Sequence, residues 1–182
     1  MAGSEGQGDE TSSVRPAISN PTGSYYTNRR VVTGLDADGR SAVLSDMTLD
    51  QIDGCRSLIA LIWRTEGFPV DNDGMVEAAQ TFESTMLFDD ASSMFVMVAV
   101  EPGLEPNWHA TSTIDYLIVM RGRVALQLEN GRVELGPGDL VVDRGVRHSW
   151  EALDDQPAVL LVTLVRARPL AAGVGWDTPA AT

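Results

Sequence analysis

Polar and apolar residues alternate most cleanly between Val124 and Leu135. Val124, Leu126 and Leu128, then Val133 and Leu135, occupy every second position, with Asn130-Gly131 between them. A period of two places these side chains on one face of a strand, and Asn-Gly is a strong tight-turn dipeptide, so the stretch predicts a β-hairpin. "SMFVMVAVEPG" (Ser93–Gly103), "YLIVMRG" (Tyr116–Gly122), "DLVVD" (Asp139–Asp143) and "AVLLVTLV" (Ala158–Val165) predict further strands, punctuated by glycine and proline. Upstream, "RRVVTGLDADGRSAVLSD" (Arg29–Asp46) predicts two strands around the turn-type "DADGR", and "SLIALIWRT" (Ser57–Thr65) a buried strand. "DGMVEAAQTFES" (Asp73–Ser84) predicts a short helix capped by Asp73. Short strands of this kind, with no internal repeat, indicate an all-β barrel or sandwich.

Composition divides the chain but changes little of that picture. Residues 1–25 are rich in Gly, Ser, Glu, Pro and Asn, with little to bury, and are expected to form a loosely attached arm. Residues 26–168 are expected to form one barrel domain, and 169–182 a tail without clear period. The chain has 182 residues, 43% of them hydrophobic, enough for one well-filled core.

Charge narrows the function classes. A net charge of −13 argues against nucleic acid and anionic membranes as partners, since both need basic residues against phosphate. All 13 basic residues are arginine, so Schiff-base chemistry on lysine and a lysine-bearing phosphate loop are excluded. The single cysteine, Cys55, forms no internal disulfide; with no signal-peptide pattern at the N-terminus, a cytoplasmic protein is the expectation.

The chain has only two histidines, His109 and His148, each just before or within strand-like sequence. His109 and Thr111 share a face if their segment is extended, but along a straight strand Asp115 lies roughly 20 Å from His109. Metal–ligand bonds are about 2 Å long, so His109 and Asp115 serve one site only if the chain bends near Thr111–Thr113. With His148 arriving from a later strand, two imidazoles and one carboxylate would then form the triad that suits Fe(II) with open positions.

"PGLEPNWHATSTIDYLIVMRG" (Pro102–Gly122) resembles the first cupin motif, G-x5-H-x-H-x3,4-E-x6-G. Gly103, His109 and Gly122 match it; Thr111 stands at the second histidine and Asp115 at the glutamate. "PGDLVVDRGVRHSWEA" (Pro137–Ala152) resembles the second motif, G-x5-P-x-G-x2-H-x3-N, through Gly145 and His148. Asp143 stands at its proline and Ala152 at its asparagine, and the interval from Gly138 to His148 is one residue shorter than usual. The resemblance implies a double-stranded β-helix, the cupin or jelly-roll barrel, with an N-terminal hairpin arm and at most one or two short helices. It also implies a homodimer, which would cover exposed strand edges.

Family members usually hold a divalent ion through three histidines and a glutamate. Carried over, His109, Asp115 and His148 would hold Fe, Mn, Zn or Ni and carry catalysis, with oxygenation, isomerisation, decarboxylation or dehydration of an aromatic, keto-acid or polyketide-like small molecule as the outcome. A second alternative removes the metal and uses a histidine as general base oriented by Asp115. A third is a non-catalytic small-molecule binder. Thr111, Trp108, Trp150 and Arg147 are the candidate substrate contacts, with ordinary barrel packing as the alternative for the two tryptophans and a solvated loop charge for Arg147.

Overall fold

A computed structural model describes residues 25–52, 55, 58–72 and 91–170. The predicted helix at Asp73–Ser84 and nearly all of both terminal segments lie outside the described residues.

The β1–β2 hairpin (Arg29–Leu35, Ser41–Thr48) pairs antiparallel around a turn made by Asp36, whose Oδ1 accepts the N–H groups of Asp38 and Arg40, both at 2.9 Å. A single 3-10 turn, Leu49–Gln51, follows. The remaining strands are β3 (Ile59–Glu66), β4 (Ala91–Val100), β5 (Thr113–Arg121), β6 (Val124–Leu128), β7 (Gly131–Leu135), β8 (Leu140–Asp143), β9 (His148–Ala152) and β10 (Ala158–Arg166). They form a five-stranded sheet in the order β3-β4-β10-β5-β8 and a three-stranded sheet in the order β7-β6-β9, antiparallel throughout. The molecule is all-β, as the period-two pattern predicts.

The β6–β7 hairpin forms one residue earlier than Asn-Gly suggests. Leu128 pairs with Gly131, so Glu129 and Asn130 make the turn, and Gly131 opens β7 at φ 110°. No described residue other than glycine has positive φ, so Asn130 does not supply the left-handed backbone that a primed turn needs.

Two apolar clusters sit on opposite faces of the large sheet. Leu61, Met94, Val96, Leu117, Val119, Leu160 and Val162 face inward, and Trp150 packs against them. Ala60, Ile62, Met97, Ala99 and Val159 face the other way, under Tyr26, Leu49, Ile52 and Cys55. Tyr26 is pinned there by its hydroxyl, which donates to Leu58 O at 2.5 Å. Burial on both faces is why β3, β4 and β10 read as unbroken apolar runs. Past β10 the outer face is bare: Tyr116, Met120, Leu140 and Val142 are exposed. No helix among the described residues is long and apolar enough to cross a membrane.

Candidate active site

β5 alternates with nearly complete regularity. Thr111, Thr113, Asp115, Leu117 and Val119 are buried and Tyr116 and Met120 exposed, because successive side chains point to opposite faces. This delivers Asp115 to the barrel interior. His109 comes before the strand, on the far side of a bend at Ser112. Its backbone leaves the line of β5 and pairs instead with His148, the first residue of β9.

That pairing sets the histidine geometry. His109 N–H donates to His148 O at 3.0 Å and His148 N–H to His109 O at 2.8 Å, so the two are directly opposed cross-strand partners. Their rings face the same side, with centroids 4.4 Å apart and planes at 56°. Each Nδ1 is within hydrogen-bonding distance of a backbone carbonyl two residues back: Asn107 O for His109 and Val146 O for His148, both at 2.9 Å. A ring nitrogen facing a carbonyl must carry the proton, which leaves each Nε2 for the cavity.

The carboxylates form a second opposed pair. Asp115 on β5 is in register with Asp143 at the end of β8. Asp143 Oδ1 accepts Gly145 N–H at 2.8 Å and Val146 N–H at 3.1 Å, which shapes the tight turn into β9. Its Oδ2 lies 2.8 Å from His148 Nδ1, but that N–H is better aligned to Val146 O, so the contact is chiefly one of charge. Asp115 Oδ1 accepts the Thr113 hydroxyl at 2.5 Å, and Thr113 Oγ1 lies 2.8 Å from the Thr111 hydroxyl. One hydroxyl has one proton, so with Asp115 ionised the chain runs from Thr111 to Thr113 to Asp115.

These contacts push the four groups in different directions. Burial opposes charge on His148, but the adjoining Asp143 outweighs it and raises the imidazole above its usual range. Burial likewise opposes charge on Asp143, and His148 with the two backbone N–H groups overcomes it, holding the carboxyl low. Asp115 has no cation in contact among the described residues. Burial, with Asp143 opposite, carries it up to about 6 despite the Thr113 hydrogen bond. His109 is lowered, first by burial and then by its charged neighbour His148.

All four groups, with Thr111 and Trp150, line a cavity of about 240 Å³ between the two sheets. Its walls are apolar, including Met94, Val96, Leu117, Leu160 and Val162. Trp150 meets the His148 ring edge-on at 5.9 Å. Trp108 and Arg147 lie elsewhere. The Arg147 guanidinium stands 5.6 Å over the Trp108 ring and 3.4 Å from Glu129, in a shallow outer pocket. Each neighbours a histidine in extended chain, so each points to the opposite face. A larger groove of about 550 Å³ under the β1–β2 hairpin is lined by Arg30, Trp63 and Met97 among others, with no histidine or carboxylate.

The donor types present, two imidazoles and a carboxylate, suit a divalent metal. Their placement does not. Among the described residues no three His, Cys, Asp or Glu side chains gather closely enough to hold one ion. Spacing along the chain did not reveal Asp143 as a site residue. The signal available was its departure from proline in the second motif, two residues before a glycine that its side chain caps.

Comparison with known proteins agrees with this architecture. The Cupin domain family model matches residues 96–164. "Phomopsin biosynthesis cluster protein D" of Diaporthe leptostromiformis is 34% identical over 132 residues, covering 68% of this chain and 70% of that protein. "Cupin-domain-containing oxidoreductase srdD" of Neurospora crassa is 30% identical over 154 residues, covering 75% and 77%. Among solved structures, a cupin-2 domain containing protein from Shewanella frigidimarina aligns over 41% of this chain and 72% of its own, at 25% identity and a TM-score of 0.36.

Proposed function

The chain belongs to the cupin superfamily, and from that premise we propose that it is a small-molecule-transforming enzyme whose two histidines move protons at the end of the apolar cavity. The observation that carries this is the doubled cross-strand pairing, His109 with His148 and Asp115 with Asp143, at one end of an otherwise hydrocarbon-lined space. Support also comes from the relatives, whose names state roles in biosynthesis clusters or as oxidoreductases.

In this mechanism His148, held charged by Asp143, donates a hydrogen bond or proton from Nε2 to a carbonyl or hydroxyl oxygen. Neutral His109 presents its Nε2 lone pair 4.4 Å away, ring to ring, and accepts a proton from the adjoining carbon or oxygen. One group gives and the other takes, so the pair suits enolisation, isomerisation or dehydration. Asp115, titrating at about 6, is placed to exchange a proton with solvent or substrate. In a redox reaction the same groups would handle the protons. General acid–base catalysis typically contributes about 10²–10⁴-fold. His109→Ala and His148→Ala should therefore each slow deuterium exchange into enolisable aldehydes or ketones in D2O by about 100-fold or more, read by NMR. Full exchange activity in both variants would overturn the assignment.

A second reading keeps a divalent metal, and the tied Nδ1 atoms favour it, because metal-binding histidines usually have their other nitrogen held by a carbonyl. It requires the Asp115 carboxyl and the two histidines to draw closer together than they stand. Metal content of untagged protein by mass spectrometry decides. Near one ion per chain, lost in His148→Ala and Asp115→Ala, would establish it; a wild type still empty after reconstitution would retire it.

A further inference from the structure

Among its described lining residues, the cavity that ends in the two histidines has three carboxyl groups, Asp115, Asp143 and Glu105, and no arginine. With no lysine in the chain, no basic residue among the described ones except the histidines faces it. Two of the described guanidinium groups are engaged elsewhere. Arg147 sits outside over Trp108 and against Glu129, and Arg30 lies behind the large sheet, donating to Ile62 O at 3.3 Å. A carboxylate or phosphate entering here would lose its hydration against apolar walls and approach fixed negative charge. The one imidazolium there, His148, already has its charge offset by Asp143, so an added anion is left without a partner of its own; burying it is costly, and like charges at close range add to that cost.

Size and wall chemistry point the same way. About 240 Å³ is the liquid volume of roughly eight water molecules, enough for one substituted ring or a short chain. Leu58, Val98, Leu160 and Val162 offer only hydrocarbon contact, so hydrogen bonding is confined to the histidine end and to Glu105 and Asn107. Resting on the proposal that this cavity is the reaction site, we propose that its ligand is an uncharged, mainly hydrocarbon molecule with a single polar head, a carbonyl or hydroxyl, directed at His109 and His148. Anionic molecules, keto-acids among them, are rejected.

Two compounds of nearly the same shape test this: 4-ethylbenzaldehyde and 4-ethylbenzoate. Neither can form an imine with a side-chain amine, because the chain has no lysine. Calorimetric titration at about pH 8, where the benzoate is ionised, should give the aldehyde at least about tenfold tighter binding. The aldehyde should also shift the ring nitrogen signals of the only two histidines. Benzoate binding as tightly as the aldehyde, or neither compound binding up to about 10 mM, would overturn the proposal. Leu104→Arg supplies the missing cation at a position that lines the cavity and is 56% exposed, so folding should tolerate it. It should draw in the benzoate and shrink the preference about fivefold or more; an unchanged ratio would show that charge does not set the selectivity. If the preference holds while His109→Ala and His148→Ala keep full exchange activity, the proton-transfer mechanism fails and the ligand class stands. Equal binding of the two compounds, with both variants inactive, overturns the ligand class and leaves the proton-transfer mechanism standing.

Discussion

Asp115 and Asp143 occupy opposed positions on neighbouring strands, and only one of them has a cation. The difference sets opposite responses to pH. Asp115 is raised from 3.8 to about 6, so it favours the folded state when protonated, an advantage present below about pH 3.8 and lost as pH rises through about 6. Such a rise corresponds to on the order of 3 kcal/mol. Asp115→Asn should therefore unfold at higher urea than wild type at pH 8, by up to that amount, while losing exchange activity; lower stability at pH 8 would contradict the account. For the His148–Asp143 pair the signs differ. His148 is raised, so its contribution is complete below about pH 6.5 and lost as pH rises through its folded value. Asp143 is lowered, so its contribution is present above about 3.8 and lost as pH falls through its folded value. The pair thus stabilises most between these limits. Asp143→Asn should cost about 2 kcal/mol or more at pH 5.5 and less at pH 9, above the ordinary imidazole range, where less of the His148 charge remains. A uniform loss across that range would mean Asp143 acts only through the turn it caps.

At the scale of elements, Gly145 joins the two histidine-bearing segments. It sits between β8 and β9 at φ +75°, and a Cβ there would stand 2.3 Å from Thr111 O and 3.0 Å from Thr113 O. Only a residue without a side chain lets the turn before His148 lie against the segment that carries Thr111 toward Asp115. Gly145→Ala should cost about 2 kcal/mol or more in urea unfolding and weaken ligand binding, because strain and clash act together. Near-neutral stability would mean the contact relaxes easily. The same scale shows what was legible in the sequence. The strand predicted at Tyr116–Gly122 forms the greater part of β5, and the β6–β7 hairpin followed its pattern apart from the one-residue shift at Gly131. Two strand-to-strand relations left no trace in spacing: the bridge of His109 to His148, and the register of Asp115 with Asp143. Proximity in sequence misled where the chain is extended, since Trp108 and Arg147 adjoin the histidines and for that reason face away from them. Trp150 and Thr111, two residues from a histidine, face the same way.

Across the whole molecule, apolar material is distributed on both sides of the large sheet, so the inner cluster surrounds the cavity while the outer one packs the sheet against Tyr26, Leu49 and Ile52. Cys55 lies in that outer cluster, fully buried at 0% exposure, with Sγ 3.3 Å from Leu61 O. A thiol reagent reaches it only when the layer of Tyr26, Leu49 and Ile52 lifts from the sheet. The only cysteine in the chain is thereby a built-in clock for opening. An opening free energy of about 5 kcal/mol should slow its alkylation several-thousand-fold relative to unfolded protein, at a rate that follows urea concentration. Prompt alkylation in native buffer would show that this layer detaches on its own, independently of the barrel.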